Sequence, residues 1–154
     1  VDARSAALAA LARRAHTRRE LEQKLVRKGF DRGAIGALLD EFAERGWLND
    51  AKTAAALAAS RSRTGRGRSR IAAELAAKGI ARADVDAALA TLDPAEEAKT
   101  LRATLERRAR ALPAELTRQA RSKKLFDHLV RRGFAPAAVL EALHRKGDAT
   151  DDES

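Results

Sequence analysis

Apolar residues recur along this chain at intervals of three and four, the period of helices that bury one face, and no run alternates as a half-buried strand would. The most fully specified stretch is Thr17–Phe30, TRRELEQKLVRKGF. Thr17 and Glu20 have the spacing of a capping box, in which the hydroxyl takes the amide of Glu20 and the carboxylate reaches back to the amide of Thr17. Leu21 and Leu25 stand one turn apart on a single face, with Val26 beside them. Gly29 is placed to take the left-handed conformation that ends a helix and to bring Phe30 over Leu25. Arg27 and Lys28 fall in the last turn, where the helix dipole favours cations.

The same device recurs. Ile71, Leu75, Gly79 and Ile80 repeat the spacing of Leu21, Leu25, Gly29 and Phe30, and so do Leu125, Leu129, Gly133 and Phe134. Beyond each glycine the next helix carries a pair at the same offset: Ile35 and Leu39, Val85 and Leu89, Val139 and Leu143. In-phase copies roughly fifty residues apart predict an internal repeat. The pattern divides the chain into three-helix repeats at residues 1–47, 48–92 and 93–147, with residues 148–154 an acidic disordered tail. The expected fold is all-α: three tandem three-helix repeats forming an elongated, curved array, since each repeat would touch only its neighbours.

Within the first repeat the pattern predicts a helix over Ala3–Arg14 with Leu8, Leu11 and Ala15 inward. Another covers Gly33–Arg45, with Ile35, Leu38, Leu39 and Phe42 inward. Gly46 repeats the stop and sets Trp47 over Phe42, so the single tryptophan reads as a cap and core residue rather than a base-stacking platform. Asn49 or Asp50 caps the next helix. The segment SRSRTGRGRSR, Ser60 to Arg70, reads as the loop between the first two helices of repeat two, because Gly65 and Gly67 interrupt the helix. Asp93-Pro94 opens repeat three, Pro113 divides its first two helices, and Pro136 begins its last.

Composition narrows the function. Of 154 residues 45% are hydrophobic but only 3% aromatic, and the many alanines imply close helix contacts and a thin core in each repeat. The absence of cysteine excludes disulfides, thiol nucleophiles and thiolate metal sites. No apolar run approaches the ~18 residues of a membrane span, and no signal-peptide hydrophobic region is present, so a soluble cytoplasmic protein is expected. With no methionine and Val1 first, the sequence reads as a piece of a longer chain. His16, His128 and His144 lack ligand spacing and read as helix-surface residues. Ser60, Ser62 and Ser69 lack a nucleophile-elbow motif. The expectation is a protein that is not an enzyme and holds no metal or cofactor.

A formal net charge of +9, which the acidic segment 148–154 holds below that of the rest of the chain, points instead to a polyanionic partner. Arg61, Arg63, Arg66, Arg68 and Arg70 lie in a segment without one acid, so they should repel one another, leave the segment mobile or strained, and favour phosphate contact. A second basic cluster comprises Arg107, Arg108, Arg110, Arg121, Lys123 and Lys124. Asparagine and glutamine are scarce, which favours backbone contact over base readout.

RAHTRRELEQKLVRKGF, the GWLND turn and SRSRTGRGRSRIAAELAAKGI together resemble the RecX family, regulators of the RecA recombinase. The resemblance spans nearly the whole chain and is strongest over residues 13–80. The chain departs from it at Thr53, where an aromatic usually follows the aspartate, and at Arg66, where one often stands between the glycines. The resemblance implies a protein of tandem three-helix repeats that binds RecA, lies along the groove of the RecA–single-stranded DNA filament and restrains strand exchange, ATP hydrolysis and coprotease activity. A monomer away from membranes is expected. The resemblance adds the basic residues around the start of the first capped helix, Arg13, Arg14, Arg18 and Arg19, to the two clusters as the surface expected to meet DNA or filament. The alternative is a stand-alone helical-repeat protein that binds nucleic acid without a recombinase partner.

Overall fold

The structure is a computed structural model and describes residues 1–152. Among the described residues there are nine helices and no strand, the all-α fold that the periodicity predicts. In order they are α1 (Ala3–Arg13), α2 (Arg18–Arg27), α3 (Arg32–Glu44), α4 (Asp50–Arg63), α5 (Arg68–Ala77), α6 (Arg82–Ala90), α7 (Pro94–Ala111), α8 (Arg118–Arg131) and α9 (Pro136–Asp152).

Side chains at the helix starts satisfy amides that the helices leave unpaired. The full capping box forms at Thr17 and Glu20. Asp31 takes the amide of Ala34, Asn49 that of Lys52 and Thr117 that of Ala120. The stops are as regular. Gly29 donates to Val26 at 2.9 Å and Phe30 to Leu25 at 3.3 Å, and the same two bonds form at Gly79–Ile80 and Gly133–Phe134. Those three glycines have φ of 90°, 81° and 99°.

Gly65 proves to be another stop, with φ 84°, and this corrects the expected loop. Its amide bonds Ser62 and that of Arg66 bonds Arg61, so Ser60–Arg63 is the last turn of α4 and α5 begins at Arg68. Only residues 64–67 remain as a turn. Arginines suit the negative end of a helix, and one glycine at its end closes it rather than breaking it earlier.

The expected disordered tail is also corrected. α9 continues to Asp152, with Asp148 3.5 Å from His144 one turn back and Asp151 3.6 Å from Arg118. Residues 153 and 154 lie outside the described residues.

The chain forms two compact units. Val1–Leu57 with Glu74–Leu89 makes one, and Ala58–Ala73 with the described residues after 89 makes the other. The first is built on Leu21, Leu25, Ile35, Leu39, Phe42 and Leu48. Burying each such aliphatic side chain contributes about 1.5–3 kcal/mol. The inward face of α1 is Ala6, Ala7 and Ala10, whereas Leu8, expected inward, is 41% exposed. Alanine lets α1 lie close to α2 and α3, which the bulk of leucine would prevent. Trp47 makes the expected contact, its ring 5.3 Å from that of Phe42 in an edge-on arrangement. It is nevertheless 46% exposed, with Arg45 over its ring, and so caps the core without entering it. His16 is not on a helix surface: it is buried in the link between α1 and α2, with Nδ1 3.0 Å from the Arg14 carbonyl. The second unit packs α8 between α7 and α9 around Leu101, Leu105, Leu125, Leu129, Phe134 and Val139.

Candidate nucleic-acid interface

The basic surface of the second unit is built on a joint between helix ends. The last carbonyls of α8 meet the first amides of α5: Gly67 donates to Arg132 at 2.8 Å and Ser69 to Gly133 at 3.2 Å. This satisfies orphan groups of both helices at once. Residue 67 is held to glycine by the close approach, since a Cβ there would overlap the Gly133 carbonyl.

Arg132 then turns back over the joint. Its Nε donates to the Gly65 carbonyl at 3.0 Å and its Nη2 to that of Thr64 at 2.8 Å. The turn between α4 and α5 is therefore pinned from two sides, not mobile as its charge density suggested. The pinning concentrates charge. Burial, then the charges of Arg66, Arg107 and Arg70, push the Arg132 pKa below its ordinary value, though an arginine so placed stays cationic at neutrality. One turn earlier, burial followed by Arg108, Arg132 and Arg131 lowers the pKa of His128. The Nε of Arg108 is buried with no hydrogen-bond partner among the described residues. Partly desolvated cations packed against one another make a strong local positive field, and an anion with several oxygens relieves it.

The sequence matches the family model described as RecX, first three-helix domain, over residues 3–42, and the one described as RecX, second three-helix domain, over residues 49–89. This chain belongs to the RecX family. The regulatory protein RecX of Halorhodospira halophila (strain DSM 244 / SL1) is 42% identical over 142 residues, covering 90% of this chain and 84% of the relative. That of Xanthomonas oryzae pv. oryzae (strain MAFF 311018) is 37% identical over 139 residues, covering 88% and 83%. Among solved structures, RecX from Lactobacillus salivarius shares the fold with a TM-score of 0.83 at 20% identity, over 93% of both chains. Another, a regulatory protein RecX, gives 0.77 at 24% identity over 88% of this chain and 67% of that one.

The Arg132 cluster draws Arg66 and Arg70 from the segment matched as the second RecX domain, while Arg107, Arg108, His128, Arg131 and Arg132 lie beyond both matched domains. Of the predicted residues it gathers Arg66, Arg70, Arg107 and Arg108. Arg61 and Arg63 sit on the last turn of α4, and Arg110 and Lys124 are exposed.

Others have structural work. Arg68 grips Glu97, its Nε 2.9 and 2.8 Å from the two carboxylate oxygens and its Nη2 on the same group, and also reaches the Leu92 carbonyl. Arg121 closes the end of α7 through the carbonyls of Ala109 and Pro113. Lys123 pairs with Asp127 at 3.3 Å. In the first unit Arg13 is exposed, but Arg14 pairs with Glu20 and Arg18 with Asp40, while the stem of Arg19 lies across Gly79.

Arg131 and Arg132 were not among the predicted site residues. The signal was available: Arg132 holds the place of Lys28 and Lys78 in the repeated stop, a place whose cation is explained by the helix dipole alone.

Proposed function

We propose that this chain regulates the RecA recombinase by binding its filament on single-stranded DNA and restraining strand exchange, ATP hydrolysis and coprotease activity. It acts in the cytoplasm as a monomer, without a cofactor and without catalysing a reaction. Membership of a family whose relatives are named regulatory protein RecX supports the partner. The observation that carries the nucleic-acid half is the gathering of arginines from three helix ends and one turn around Arg132 and His128. Guanidinium groups donate to phosphate oxygens whatever the base, and asparagine and glutamine are scarce in this chain, so the cluster fits a phosphate backbone of any sequence. The trio α7–α9 serves as a third repeat of the same design, since its middle helix ends in the same stop.

The test is the affinity for a fluorescent single-stranded oligonucleotide, measured alone and with RecA and ATP. A sharp rise with RecA is the expected result. Equal affinity in both conditions would favour a stand-alone nucleic-acid-binding protein.

A further inference from the structure

The three helices α2, α5 and α8 end in the same stop, and two of these stops hold the first turn of another helix. At the end of α5, the Lys78 carbonyl accepts the Thr17 hydroxyl at 2.7 Å, the Lys78 ammonium lies 3.7 Å from Glu20, and the Arg19 stem rests on Gly79. At the end of α8, the Arg132 and Gly133 carbonyls accept the amides of Gly67 and Ser69, and Arg70 rests on Gly133. The stop of α2 repeats both sequence and geometry at Lys28, Gly29 and Phe30. Yet no atom stands within 4 Å of where a Gly29 Cβ would be, and Arg27, Lys28 and Gly29 are exposed.

Such a stop can receive the start of another helix, as those of α5 and α8 do. It offers carbonyls at the negative end of a helix dipole, over a glycine that admits a neighbouring backbone. The matching surface is the positive end of another helix, with its free amides and hydroxyl cap. Among the described residues the hydroxyl-capped starts of this chain are those of α2 and α8, and a second copy has neither free. The starts of α2 and α5 are held by its own stops. At the start of α8, Thr117 caps the helix and the end of α9 lies over it, with Asp151 on Arg118 and Gly147 against the same guanidinium.

We propose that the Lys28–Phe30 stop docks the first turn of a helix on a partner protein, a helix that begins with a hydroxyl cap and carries an acid three positions later. That is the pattern Thr17 and Glu20 present to Lys78. The inference rests on the filament reading above and deepens it: the stop meets recombinase subunits, and the Arg132 cluster is left for DNA.

Two variants test it against RecA filaments preassembled on single-stranded DNA. Gly29→Asn keeps the left-handed stop, which asparagine tolerates, and projects a side chain into the docking face. Lys28→Glu reverses the charge that faces the acid. Gly46→Asn is the control, the same change at an exposed stop with φ 75° and equally open space. Filament affinity should fall about tenfold for both docking variants, the scale of one charge-assisted hydrogen bond. The control should bind like wild type, and Gly29→Asn should bind free single-stranded DNA unchanged. Filament binding at full strength by both docking variants overturns the docking face and leaves the filament reading standing. Wild-type protein that binds the filament no better than free DNA overturns both.

Discussion

The hydroxyl of Thr17 serves two helix ends at once, accepting the amide of Glu20 at 3.2 Å and donating to the carbonyl of Lys78 at 2.7 Å. Thr17 is fully buried, so water cannot replace either bond. Thr17→Val keeps the shape and removes both. The lost cap costs about 1 kcal/mol, and the stranded carbonyl adds about 1–3 kcal/mol. Thr17→Ser should retain most of the wild-type stability. Urea denaturation of the pair should give a clear difference in midpoint, and equal midpoints would mean the hydroxyl carries neither bond in solution.

The stop glycines should differ in cost although the sequence writes them alike. Gly29→Ala meets only the left-handed penalty, about 1–2 kcal/mol. Gly133→Ala adds a clash, because the new methyl would lie 2.5 Å from the Arg70 amide and Cβ. Gly67→Ala, which drives a methyl into the Gly133 carbonyl, should be worse than Gly29→Ala despite having no positive φ. Melting temperatures ranked with Gly29→Ala highest are the expected outcome.

This difference marks what could be read from the chain. The capping box, the stops and the inward faces of α2, α3 and α8 are local, so spacing alone revealed Thr17, Gly29, Leu21 and Leu25. What Gly79 and Gly133 touch lies tens of residues away, and nothing in the spacing encodes it. The same limit applies to charge. The arginines from Arg61 to Arg70 looked equivalent because no acid is nearby in sequence. Yet Arg68 is matched by Glu97 across 29 positions, and Arg132 is added to the cluster from another helix. Leu8 was misread because alanines, weak in any hydrophobic pattern, form the closer-packing face of α1.

Acid should weaken the first unit through His16. Burial outweighs the hydrogen bond to the Arg14 carbonyl and lowers its pKa from 6.5, with Arg14 and Lys24 acting in the same direction as burial and Glu20 opposing. The folded pKa is thus below the unfolded one. The stabilisation from neutral His16 is present above 6.5 and is lost as pH falls through the folded value. His128, lowered chiefly by burial, contributes with the same sign. Glu20 acts in a more acidic window. Burial raises its pKa, but the Thr17 amide, Arg14 and Lys78 together hold it below 4.5. His16→Asn, which can still donate to the Arg14 carbonyl, should flatten the stability profile just below pH 6.5. An unchanged slope in urea midpoints would show that His16 does not titrate with unfolding.

Removing charge from the Arg132 cluster should weaken DNA binding without unfolding the protein. Arg70, Arg107 and Arg131 are exposed, and Arg70 and Arg107 both raise the electrostatic cost of Arg132. Glutamine at all three positions leaves the Arg132 bonds to Thr64 and Gly65 in place. It also relieves repulsion, so the melting temperature should hold or rise. Each cation that neutralises a phosphate of single-stranded DNA contributes about −0.7 to the log–log salt slope, and the triple variant should lose about 2 from its magnitude. Arg68→Gln makes the contrast, because Arg68 grips Glu97. It should lower the melting temperature and leave the salt slope close to wild type. If the triple variant kept its slope while Arg68→Gln reduced it, phosphate contact would belong to the start of α5 rather than to the joint that Arg132 closes.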